Sequence, residues 1–337
     1  MTIHAYRDVA HLDATKSLRA AAQEDRWEVH PHCSIDRDTF RLGVTAIQSD
    51  LGEGCAMQAA MVLYLQSKEL SALRHFFPII GWLDGPGRER WAHLYATYLV
   101  DFPLRIEFID RERRPAPLAV RTMVVGQLVS CFVYRPDVLA AFRTTQPTFS
   151  ICADNRTYTR VGGVGGGCYD ETAHQMILEV SRLFEGYWQP TPGVSPFLHE
   201  LGHMLDGAQR RLTHGHACVG ELPAMDDVQR LAWQSGKRVE VQHYRRYQEV
   251  GIVVDSAPLG HPYVFQTDGE FLAGYWEMFW RNPHAFAAHS PVLYAGLVSY
   301  VEHDPRVYTT DYSGYVTGNR AFYARGERAW ASQIRIS

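Results

Sequence analysis

The chain has 337 residues, about two domains' worth at ~150 residues each, and its 46% hydrophobic and 21% charged content excludes wholesale disorder and fibrous repeats. Lys and Arg number 33 against 37 Asp and Glu, a formal net charge of −4, so no chain-wide basic face points to nucleic acid as a partner. The N-terminus alternates charged and small residues and lacks the apolar core of a signal peptide, and the most apolar stretch, 118–134, carries Arg121, Gln127 and Ser130 and is too short to span a bilayer.

The resulting expectation is a cytoplasmic protein with no membrane partner. Its six cysteines are scattered without a Cys-x-x-Cys pair and are expected to be reduced, since a chain of this length builds a core without disulfides.

Residues 1–95 read as a mainly helical N-terminal extension. Apolar positions recur at helical spacing over 54–77 (Met57, Ala60, Met61, Leu63, Leu65, Leu70, Leu73), and Asp84-Gly-Pro-Gly87 reads as a break. Strand-like segments rich in β-branched and aromatic residues follow at 104–109, 123–134 and 148–153. A glycine-rich turn over 161–167 opens onto a further strand at 176–180. Helical patterns then cover 196–206, 226–250, 268–280 and 291–303. Strands followed by helices imply an α+β domain over 96–337, a small mixed sheet against a helical body. The basic run of Lys237, Arg238, Arg245 and Arg246 reads as a solvated helix face.

One segment carries chemistry. In Phe197-Leu-His199-Glu200-Leu-Gly-His203-Met-Leu-Asp206-Gly207, residues four apart stack on one helix face, so His199 and His203 can bind a single metal ion. Two imidazoles suit zinc. Glu200, about 100° round the helix, is free to reach a water there. Ser195 and Pro196 signal the helix start, and Gly207 reads as its stop. A catalytic zinc takes a third protein ligand, commonly a carboxylate, and leaves one position open. In Asp268-Gly-Glu270-Phe-Leu-Ala-Gly-Tyr-Trp-Glu277 the two glutamates lie two turns apart on one face, so either can be that ligand and the other its support.

These segments, together with Tyr263 seven residues before Glu270-Phe-x-Ala273 and the later Pro291-Val-Leu-Tyr and Asp304-Pro305, resemble the Mlc titration factor A family of zinc peptidases and are similar to the catalytic domain of anthrax lethal factor. The likeness covers about residues 196–305. It implies a zincin-like (gluzincin) catalytic domain with Zn2+ held by His199, His203 and Glu270. It implies Glu200 as general base and Tyr263 as hydroxyl donor to the oxyanion. Asp206 and Glu277 match acidic positions that support the ligands. One position departs from lethal factor, which has an acidic residue four after its ligand Glu where this chain has Gly274. Strand 176–180 is the expected edge to which an extended substrate adds.

The reading is a zinc metallopeptidase acting on a peptide or protein. Its rivals are a zinc amidohydrolase acting on a small molecule, and a peptidase-like protein that binds a regulatory protein partner.

Overall fold

The computed structural model describes residues 76–101, 104–116, 118–184, 194–215, 219–250, 257–311 and 313–325, with 73 and 336. Most of the expected 54–77 helix lies outside these residues. The chain divides into two compact units between residues 188 and 189.

The first unit contains a five-stranded mixed sheet: β1 (Arg105–Ile109), β2 (Arg113–Pro115), β3 (Thr148–Cys152), β4 (Cys168–Asp170) and β5 (Gln175–Glu179), in the order β2-β1-β3-β5-β4. β1 and β3 pair in parallel, as do β3 and β5, while β2 and β4 flank them antiparallel. Parallel pairing demands crossover connections, and the helices between the strands supply them. Every residue of β3 is buried, as befits a central strand. The 176–180 segment is a strand, but not an edge. β4 covers its outer side through Tyr169 opposite Met176 and Asp170 opposite Gln175.

The described α-helices of this unit are α1 (Ile79–Trp82), α2 (Gly85–Ala96), α3 (Leu118–Phe132), α4 (Pro136–Thr145), α5 (Asn155–Arg160) and α6 (Val180–Phe184). Two expectations are corrected here. Asp84-Gly-Pro-Gly87 starts a helix: the Asp84 carboxylate accepts from Gly87 N–H at 2.7 Å, and Pro86 occupies the first turn, where its missing N–H costs nothing. The 123–134 segment is helical as far as Phe132, within α3. Val120, Val124, Val125, Leu128, Val129 and Phe132 are all buried. A helix enclosed on every side is apolar on every side, so its sequence carries no 3.6-residue rhythm and mimics a buried strand.

The second unit is helical: α7 (Pro196–Leu212), α8 (Asp227–Val250), α9 (Asp268–Arg281), α10 (Pro283–His289), α11 (Pro291–Val301) and α12 (Ser313–Ala324). Short 3-10 turns occupy Pro262–Phe265 and Pro305–Val307. α7 runs past Gly207, which is buried inside the helix and does not stop it. The chain turns instead where His214 and Gly215 take positive φ values of 54° and 81°.

α7 lies against α9 so closely that a Cβ on Gly202 would stand 2.6 Å from the Ala273 Cα. α8 is equally close to α11, where a Cβ on Gly236 would meet Leu293 at 2.5 Å. Small residues at these crossings let the helix axes approach. The tyrosines interleaved with the basic run are interior residues, Tyr244 at 2% and Tyr247 at 5% exposed, so they build core. No described helix is long and apolar enough to cross a membrane.

Candidate metal centre

α7 begins at Ser195, whose hydroxyl accepts the Leu198 N–H at 3.4 Å, with Pro196 in the first turn. Leu198, Leu201 and Leu205 bury the inner face. That packing fixes the rotation of the helix. His199 and His203 therefore share the opposite side, their ring centroids 5.1 Å apart.

α9 begins at Thr267, whose hydroxyl accepts the Glu270 N–H at 3.1 Å, so the cap holds the backbone of the very residue that faces the histidines. Asp268 in that first turn pairs with Lys237 of α8. Glu270 Oε2 stands 3.3 Å from His199 Nε2 and 3.4 Å from His203 Nε2. The three side chains are 17–19% exposed, so the cluster is open to solvent on one side.

Glu277, two turns further along α9, is 3% exposed. Its Oε1 accepts the Ser195 N–H, and its Oε2 lies 3.5 Å from His199 Nδ1, the ring nitrogen turned away from Glu270. The helix cap of α7 and one of its histidines are thus held by a single buried carboxylate. Sequence reasoning passed over Ser195 as an anchor, because a cap residue's own N–H partner cannot be read from local pattern.

Asp206 is 2% exposed, and its carboxylate accepts the Gly220 N–H at 2.9 Å and pairs with Arg210 at 3.2 Å. Gly220 has φ +81°, and a Cβ there would stand 2.6 Å from the Asp268 carbonyl oxygen. Only glycine meets both demands. Asp206 therefore ties α7 to the loop beside the start of α9. Gly274 faces Val264, and a Cβ there would stand 2.3 Å from its Cγ1. No side chain fits, and the carboxylate beside His199 comes from Glu277.

Tyr263 sits in the 3-10 turn Pro262–Phe265, whose His261 Nδ1 accepts the Tyr263 N–H at 3.1 Å. Its ring lies 6.2 Å from that of His199 and is 37% exposed. It stands at the rim of the cluster.

The electrostatics follow from this crowding. Burial disfavours charge on His199, but Glu270 and Glu277, with Glu200, overcome it and raise its pKa to about 10. Burial raises Glu270, yet the two imidazoles outweigh it and hold the carboxyl well below the usual range. Glu200 is 6% exposed, and burial pushes it above the ordinary carboxylate value against the pull of both histidines. One carboxylate is thus kept ionised and a neighbour made more basic.

Tetrahedral zinc with bonds of ~2.0–2.1 Å sets its ligand atoms roughly 3.3 Å apart. The Glu270 oxygen meets both imidazole nitrogens at that spacing. His199, His203 and Glu270 form one of two His/Cys/Asp/Glu groups among the described residues able to hold a metal ion. The donor set fits.

A family model described as glucose-regulated metallo-peptidase M90 matches residues 126–301, just over half of the chain. The chain belongs to the M90 metallopeptidase family. A search of curated proteins found no match. The matched region of this M90 chain takes in α7 and α9, and so every residue of the cluster.

Proposed function

We propose that this M90 chain is a zinc-dependent peptidase of the zincin class, with His199, His203 and Glu270 as metal ligands and Glu200 as general base. The observation that carries the reading is the single Glu270 oxygen placed 3.3 and 3.4 Å from two imidazole nitrogens of one helix. Zinc held there would supply Lewis-acid polarisation of a substrate carbonyl and lower the pKa of a water toward ~7.

The chain's own residues do the rest. Glu200 takes the proton from the attacking water and returns it to the leaving amine, a role suited to a carboxylate whose pKa burial has raised above the ordinary value. Tyr263 donates its hydroxyl to the developing oxyanion from the rim. Glu277 orients His199 through Nδ1 and thereby sets which ring nitrogen faces the ion. Asp206 acts through backbone placement, fixing α7 relative to the start of α9.

Metal analysis of the purified full-length chain, with digestion of a peptide library and Glu200→Gln as the blank, tests this. Zinc with Glu200-dependent cleavage supports it. Zinc with no cleavage of any peptide would overturn the peptidase reading in favour of small-molecule amide hydrolysis or partner binding.

A further inference from the structure

A second group of ligating side chains lies on the other side of α9. Glu240, His243 and His289 each offer one atom, all within 4.8 Å of one another. Glu240 and His243 are three residues apart on α8 and so share a face, while His289 ends α10.

Glu240 is fully buried. Its Oε2 accepts the Leu259 N–H at 3.2 Å and the Tyr275 hydroxyl, and its Oε1 accepts the Ser290 hydroxyl. A carboxylate oxygen has about two acceptor positions, so Oε2 is full and Oε1 keeps one. Two imidazole nitrogens face that one position: His289 Nε2 at 3.6 Å and His243 Nδ1 at 3.8 Å. Both nitrogens are sealed from water and make no hydrogen bond.

No placement of protons satisfies the three atoms. If both nitrogens are protonated, two donors compete for one lone pair. If one is, its N–H takes that lone pair and the other buried nitrogen is left facing the oxygen without a donor; if neither is, both nitrogen lone pairs point at a carboxylate oxygen. A cation resolves the conflict by accepting all three.

We infer that Glu240, His243 and His289 form a second divalent-cation site suited to zinc, independent of the His199, His203 and Glu270 cluster. Two imidazoles and one carboxylate are a zinc donor set, and the spacings of 3.6 and 3.8 Å from the Glu240 oxygen to the two nitrogens lie a few tenths of an ångström above the roughly 3.3 Å between ligand atoms of a tetrahedral zinc. The side chains of His243 and His289 are 34% and 21% exposed, so their outer edges meet solvent while the ligating nitrogens face inward. Bound there, the ion joins α8 to α10. Through Tyr275, which donates to Glu240 from α9, it also braces the helix that carries Glu270 and Glu277.

The test is zinc stoichiometry of the full-length chain, stripped by chelator and dialysed against zinc. Wild type should hold about two ions and the His243→Gln/His289→Gln variant about one, because each site binds a single ion. Equal stoichiometry in these two proteins overturns the inference. The His199→Ala/His203→Ala variant separates the two sites. It should still hold one ion, and zinc should raise its melting temperature, a rise that vanishes once His243 and His289 are also replaced. If that variant, folded by circular dichroism, binds no zinc, the second site does not exist, whatever the first one does. If wild type and this variant both hold one ion, the second site stands and the metallopeptidase reading loses its metal.

Discussion

Glu200 follows His199 by one residue and so lies about 100° further round α7, beside the ligand pair and not among it. Replacing it with glutamine keeps the volume and removes the proposed base. Peptide hydrolysis should then fall by roughly 10²- to 10⁴-fold, the usual contribution of a positioned acid–base group, with zinc content unchanged. Peptide cleavage assayed beside metal content checks both halves; unchanged cleavage would reassign the base. His303, 4% exposed after α11, makes a different prediction. Burial lowers its pKa to about 4, while its Nδ1 lies 3.0 Å from the Val301 carbonyl oxygen. The unfolded chain binds this proton near ~6.5. Between those values the unfolded state holds more protons, so this contribution to stability is complete above pH ~6.5, falls as pH drops, and levels off below about 4. Between pH 7 and 4.5 wild type should lose about 2–3 kcal/mol more stability than His303→Leu. Urea midpoints of both proteins at the two pH values measure the difference, and parallel losses would refute it.

At the scale of elements, the centre depends on how closely α7 and α9 approach. Gly202→Ala places a methyl group 2.6 Å from the Ala273 Cα, a backbone atom with little freedom to give way. The helices must move apart, at a cost of about 1–3 kcal/mol typical of overpacking. Glu270, one turn before Ala273, should be carried away from both histidines. Zinc affinity should fall together with stability, read by competition with a chromophoric chelator; unaltered affinity would show that the crossing does not set the ligand spacing. Much of this level was legible beforehand. The start of α7 follows from Ser195-Pro196, because capping is local chemistry. The end of α7 was not, because Gly207 is buried by packing and α7 continues through it. The 123–134 segment misled for a related reason: burial on all sides erases the periodicity that distinguishes helix from strand.

For the whole molecule, metal binding and folding are linked. A ligand that binds only the folded state stabilises it by RT ln(1 + [L]/Kd), about 2.7 kcal/mol when free zinc is 100 times Kd. Chelation should lower the melting temperature of the full chain and abolish peptide cleavage, and zinc should restore both. Calorimetry with and without chelator checks this; an unmoved transition would mean that neither cluster binds zinc appreciably. By itself the sequence determined the pair His199 and His203, the glutamate between them and two candidate carboxylates on a later helix, because helix geometry turns spacing directly into direction. Tertiary structure decided the rest. It set Glu270 against both imidazoles and left Glu277 to hold the far nitrogen of His199. It also brought His289 to Glu240 and His243 across about fifty residues of chain, which no local pattern records, since only packing specifies which helices meet.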